Sequence, residues 1–300
     1  MHRYTRIIAA ARGAVWAIQP AKLDAILELL DTRASGGSVD ASLVASMAAD
    51  NRGRGQAVIS RSVGVLPLLG TITQRADLLM ESSGGTSTDR WGREFDQLVA
   101  DPEVGSIVLD VDSPGGVIYG VPELAAKVFA ARGSKPIVAV ANSVMASAAY
   151  YIASAADEIS VSLSCDVGSI GVMALHANRE GLYEQMGVQY DLIHYGQHKT
   201  EGADTGPLSE EARAEVQRRV DQDGDAFVAA VARHRGLTPA KVKKDFGQGR
   251  CYGAQESVQR GMADRVGTLD ETVARLAAGG RPKRSRSRKA ALRRRLDLEG

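Results

Sequence analysis

An α/β fold built on a mostly parallel sheet, with helices against both faces, is the class this 300-residue chain predicts. Two observations carry that prediction. From residue 57 onward, short runs rich in Val and Ile alternate with stretches of helical period, and such alternation places parallel strands under crossover helices. The composition, 44% hydrophobic and 24% charged, is that of a globular protein long enough to bury a full core, which excludes collagen-like, coiled-coil and globally disordered chains. Cys165 and Cys251 are the only cysteines, too few for a zinc ribbon or a disulfide framework, and they read as reduced thiols.

Taken in order, the elements begin with an amphipathic helix over Ala21 to Arg33, where Leu23, Ile26, Leu27 and Leu30 share one face after Pro20, a good first-turn residue. Gly36, Gly37 and Ser38, then the run Asn51 to Gly55, loosen the chain, so residues 1–56 are expected to form an extension and 57–277 the main domain. Within that domain Val63 to Leu69, Ser106 to Val111, Pro136 to Ala141, Glu158 to Val161 and Gly171 to Leu175 read as strands. The stretches around Trp91 to Val99, Val121 to Ala131 and Ala146 to Ala155 read as helices between them. A long helix should open at the cap Ser209, with Glu210 and Glu211 in its first turn, and stop at Gly236; Thr238 and Pro239 start another. The remaining residues, 278–300, form a tail in which Arg281 to Arg295 supply nine basic side chains. Such a run is a disordered, solvated tail or a contact for nucleic acid or an acidic partner.

No segment reaches the roughly 18 to 20 apolar residues of a bilayer span. Arg12 cuts the run Ile7 to Ala11 below the length of a signal-peptide core, so a cytoplasmic protein is expected.

Two places invite chemistry. The segment Ser106 to Gly116, SIVLDVDSPGG, is a buried strand ending in adjacent glycines, whose bare N–H groups suit an oxyanion hole as well as a plain turn. The segment Pro136 to Ala153, PIVAVANSVMASAAYYIA, leads a strand into a helix of very small residues around Ser147. A hydroxyl there, beside first-turn amides and with little bulk around it, is a candidate nucleophile; a small-residue packing face is the plainer alternative, and Ser143 is a rival.

At this point the chain resembles the signal peptide peptidase A (SppA) type of serine peptidase. The likeness rests on Asp112-Ser113-Pro114-Gly115-Gly116, on Met145-Ala146-Ser147-Ala148-Ala149-Tyr150-Tyr151-Ile152-Ala153, on Gly168-Ser169-Ile170-Gly171-Val172, and on Lys199 with Leu208-Ser209-Glu210-Glu211 downstream. It implies a ClpP/crotonase-like fold and a Ser/Lys dyad needing no cofactor or metal: Ser147 as nucleophile, Lys199 as general base, Ser169 orienting the base, and the N–H groups of Gly115 or Gly116 and of Ala148 as oxyanion hole. Where the family usually has glycines directly after the nucleophile, this chain has Ala148 and Ala149, which tightens the clearance for substrate.

A lysine acts as a base only when neutral, and neutrality near pH 7 takes roughly 4 kcal/mol of desolvation. In YGQHKTEG, Lys199 reads as an exposed loop residue, so another part of the fold or another subunit would have to cover it. His176, His194, His198 and His234 are competing bases for a Ser/His/Asp arrangement, none in a matching motif.

The resemblance implies an endopeptidase acting on a protein or peptide. A form without a membrane anchor and with a basic tail looks like the phage relatives that process capsid and scaffold proteins in host cytoplasm within an assembling prohead. The alternatives are a housekeeping SppA-like peptidase degrading signal peptides, a crotonase-fold acyl-CoA enzyme, which would need a carboxylate acid/base, and a non-catalytic assembly protein. Because tandem members of the family take serine and lysine from different halves, this single copy is expected to form a cyclic homo-oligomer in which Lys199 of one subunit meets Ser147 of the next.

Overall fold

The computed structural model describes residues 8, 11, 14–34, 57–60, 62–75 and 85–282. Its elements are β1 (Val15–Ile18), α1 (Pro20–Ala34), β2 (Val58–Ser60), β3 (Val63–Thr73), β4 (Thr86–Ser87), α2 (Thr88–Ala100), β5 (Ser106–Val117), α3 (Val121–Ala131), β6 (Ile137–Ala146), α4 (Ala148–Ala153), β7 (Glu158–Val161), β8 (Asp166–Gly168), β9 (Met173–Ala174), α5 (Glu180–Gln185), α6 (Glu210–Arg235), α7 (Pro239–Asp245), β10 (Cys251–Gly253), α8 (Ala254–Arg260), β11 (Arg265–Val266) and α9 (Leu269–Ala277).

The Val/Ile runs form the parallel centre. β3 pairs β5 from Val63↔Ser106 onward, β5 pairs β6 from Ile107↔Ile137, and β6 pairs β7 from Val138↔Glu158, all parallel. Successive side chains of a strand face opposite ways. Ile107, Leu109 and Val111 of β5 accordingly enter the main core, while Val108 joins Val63, Val138 and Val140 beneath Leu276 of α9. The expected α/β architecture, a mostly parallel sheet flanked by helices, is therefore what the chain adopts. Trp91 and Phe95 of α2 stack at 5.5 Å in the main core, and the Trp91 indole N–H donates to Pro67 O at 2.8 Å, so its one donor is satisfied. The helix caps follow the sequence: Ser209 accepts from Ala212 N–H, Gly236 closes α6 in the left-handed region, and Thr238 caps α7 ahead of Pro239.

Three departures matter. β5 continues past Val111 to Val117, so the Ser-Pro-Gly-Gly stretch stays extended. Only Met173–Ala174 of the expected strand 171–175 is a strand. Residues 14–34, within the span expected to form an extension, are joined to the main sheet. β1 pairs antiparallel with β5 (Trp16↔Val117, Ala17↔Gly116, Ile18↔Gly115) and with β9. The reason is apolar surface: Trp16 and Ile18 pack under Leu23, Ile26 and Leu30 of α1, each such side chain contributing about 1.5–3 kcal/mol when buried. The two loosening runs between α1 and β2, and the tail beyond residue 282, lie outside the described residues.

Candidate active site

β5 and β6 run side by side to Val111↔Ala141, then the register shifts and Ser113 faces Met145. β6 is held to its end by β8 (Ala146↔Gly168), and the next residue, Ser147, turns the chain into α4. It does so at φ 54°, ψ −118°, a strained conformation for a residue with a side chain, costing of order 1–3 kcal/mol. The turn is fixed from both sides: Ser147 N–H donates to Gly168 O at 2.8 Å, and Tyr151 N–H donates to Ser147 O at 2.9 Å. The Ser147 hydroxyl donates, at a long 3.4 Å, to Gly171 O. Ser147 thus stands just before α4 rather than inside its first turn.

Gly115 sits over this serine. A Cβ at Gly115 would lie 3.0 Å from Ser147 Cβ, 3.1 Å from Ala148 N and 2.2 Å from Ala17 O, and its φ of +100° also demands glycine. At Gly116 a Cβ would lie 1.8 Å from Ile72 O. The Gly115 N–H donates to Ser113 Oγ at 3.2 Å, and that hydroxyl donates onward to Gly70 O at 2.6 Å. Ser169 lies on the segment that Ser147 bonds, also at positive φ (54°), its N–H donating to Arg250 O at 2.9 Å.

Ser147, Gly115, Gly116, Ala148 and the segment carrying Ser169 are therefore gathered in one place, and Lys199 is not among them. Lys199 is exposed, its N–H donates to Gly196 O at 3.2 Å, and its side chain makes no hydrogen bond or ion pair with the described residues. The stretch before it exposes Met186, Tyr190, Leu192, Ile193 and Tyr195, with Ile193 and Tyr195 98% and 100% exposed. The competing bases are engaged elsewhere. His176 bonds Gly206 O, His194 bonds Gly196 O, and His198 faces Glu201. Burial, with Arg132 next, pushes the His234 imidazole down to about 3, so it is neutral; its Nδ1 lies 2.9 Å from Ser154 Oγ. The Ser154 hydroxyl already donates to Tyr151 O, so Nδ1 carries the proton given to Ser154. The rival Ser143 is exposed within β6 and donates to Asp112. What the sequence reading missed is Ala17, whose carbonyl reaches the Gly115 position; its signal was the apolar run Val15–Ile18 before Pro20.

In α/β-hydrolases the nucleophilic serine sits on a sharp, strained strand-to-helix turn, and β6 turns into α4 at Ser147. Comparison with known proteins narrows that class. The model of peptidase family S49 matches residues 130–281, and the chain belongs to this family. It is 32% identical over 240 residues to the capsid assembly protease C of Escherichia phage lambda, covering 76% of this chain and 54% of that protein. It is 32% identical over 219 residues to the head-tail preconnector protein GP5 of Enterobacteria phage P21, covering 73% of this chain and 43% of that protein. The chain thus spans about half the length of these curated relatives. Among solved structures, a point mutant of a membrane-bound stomatin-specific protease matches with TM-score 0.42 and 14% identity over 70% of this chain and 82% of that one. An enoyl-CoA hydratase/isomerase family member matches with TM-score 0.42 and 17% identity over 74% and 73%. Among the described residues no helix is long and apolar enough to cross a membrane.

Proposed function

We propose that this chain is a serine endopeptidase in which Ser147 attacks the peptide carbonyl and Lys199 of a neighbouring subunit takes its proton. The observation that carries the reading is the positive φ of Ser147 at the β6–α4 turn, a strain that a mere packing face would not need. The oxyanion that forms is met by Gly116 N–H and Ala148 N–H. Of the two glycine amides the Gly115 N–H is tied to Ser113 of its own strand, whereas the Gly116 N–H faces β1, and Ala148 opens a helix whose first N–H groups lack intrahelical partners. After collapse to the acyl-enzyme the protonated lysine passes its proton to the leaving amine, and water, activated by the same base, releases the second product. Ser169 acts in this scheme by orienting the lysine.

A shared site reconciles an exposed Lys199 with the need for a neutral base. Docking of the apolar 182–195 stretch against a second subunit would both cover Ile193 and Tyr195 and carry the lysine out of water, and a head-to-tail contact of this kind closes into a ring. Capsid or scaffold protein is the substrate class proposed, because the phage relatives bear on head assembly by name. The basic run from Arg281 to Arg295 is assigned to an acidic or nucleic-acid partner.

Ser147→Ala should lower cleavage of casein or of a capsid substrate by about 10⁴-fold or more, and Lys199→Ala comparably, with thermal unfolding unchanged. Mixing the two inactive proteins under subunit exchange should restore part of the activity. Residual wild-type rates in Ser147→Ala would end the peptidase reading; no recovery after verified exchange would confine the dyad to one chain.

A further inference from the structure

Ser147 is fully buried, and the chain's own first strand lies along the Gly115–Val117 edge beside it. β1 lies in a slot between two strand edges, antiparallel to Gly115–Val117 of β5 on one side and to Met173–Ala174 of β9 on the other. Gln19 N–H donates to Pro114 O at 3.0 Å, and Ile118 N–H donates to Val15 O at 3.2 Å. In an antiparallel pair the bonded positions alternate. Ala17–Gly116, midway between those two bonds, is therefore the position at which Gly116 N–H donates to Ala17 O. The same carbonyl crowds the point above Gly115 that Ser147 Cβ and Ala148 N also border. A peptide carbonyl thus sits on the glycine amide proposed for the oxyanion, in an extended backbone of fixed direction.

We infer that residues 15–18 are a tethered occupant of the slot between Gly115–Val117 and Met173–Ala174, which an incoming extended peptide must displace. Backbone ladders on both edges supply the affinity for any extended segment, as in strand-addition recognition generally. The tether is strong for a reason independent of the slot. Trp16 and Ile18 face away from the main core and are held by α1, Trp16 Nε1 donates to Ala11 O at 2.7 Å, and the Gln19 amide donates to Cys251 Sγ at 3.4 Å. Being part of the same molecule, β1 competes at an effective concentration on the order of millimolar. Free peptides therefore meet a closed site, and substrate gains entry when β1 and α1 lift together.

The inference rests on the peptidase reading only for what the slot is used for, so it is tested by binding in the full-length Ser147→Ala protein, where nothing is cut. A fluorescent peptide with the sequence of residues 14–19, Ala-Val-Trp-Ala-Ile-Gln, is titrated by anisotropy into that protein and into the same protein carrying Ala17→Pro, which removes a ladder N–H and the extended pairing of β1. Binding at least about tenfold tighter to the Ala17→Pro protein is expected. Should that variant not melt cooperatively, Trp16→Ser loosens the strand from α1 without touching its ladder, and the same gain is expected. Equal binding with and without the loosened strand overturns the inference. So does equal binding of the peptide Ala-Val-Trp-Pro-Ile-Gln, which cannot form the ladder. Failure of the peptidase reading would be seen elsewhere, as cleavage that survives Ser147→Ala.

Discussion

Gly116 is pressed between two strands, and the oxygen that excludes a side chain there belongs to backbone, which cannot swing aside. Gly116→Ala must therefore push β3 and β5 apart where they frame Ser147. The expected cost is about 1–3 kcal/mol, read as a lower denaturant midpoint, together with loss of cleavage. Gly181→Ala, in α5, is the control, since a Cβ there meets nothing within 4 Å. At this scale the sequence was informative: adjacent glycines after a strand, and a serine among alanines, are legible because residue size is written directly in the chain. The strained φ of Ser147 was not, because a run of small residues says nothing about which of them starts the helix. Lys199 was legible as an exposed residue and as a motif position, two properties that local sequence has no means of reconciling.

At the scale of elements, α6 is tied down at its last residue. The Arg235 guanidinium donates to both oxygens of Asp264, at 2.8 and 2.9 Å, and Asp264 in turn accepts from Ile159 N–H at 2.8 Å, so helix, loop and β7 share one carboxylate. Arg235 is buried, and removing one partner of a buried pair leaves the other uncompensated. Arg235→Ala is expected to destabilise by about 3–5 kcal/mol in equilibrium unfolding, whereas Arg218→Ala, which breaks an exposed pair with Glu215 on the same helix, should leave the midpoint where it is. The elements read correctly from sequence include α6, which opens on the cap Ser209 and closes on Gly236, and α3, which carries Pro122 in its first turn. β5 was read short because Ser-Pro-Gly-Gly is turn chemistry in isolation, and only the strands on either side of it keep it extended. β1 was missed because four apolar residues without alternation carry no period, and their partners lie about a hundred residues or more away in the chain.

Across the whole molecule the first described strand is inserted between parts of the chain made much later, β5 and β9, rather than added to an outer edge. The chain has two tryptophans, and they report on different places. Trp91 is fixed in the main core against Phe95, while Trp16 belongs to the strand over Ser147. Indole emission moves to longer wavelength when the ring passes from an apolar pocket into water, so the protein carries an internal optical gauge of whether its slot is filled by its own strand. Saturating substrate peptide lacking tryptophan should shift the emission of the full chain to the red, and Trp16→Phe should abolish the shift while keeping the Trp91 signal. A spectrum unmoved by a peptide that demonstrably binds would mean that β1 stays seated, so that the peptide is received beside the strand rather than in place of it.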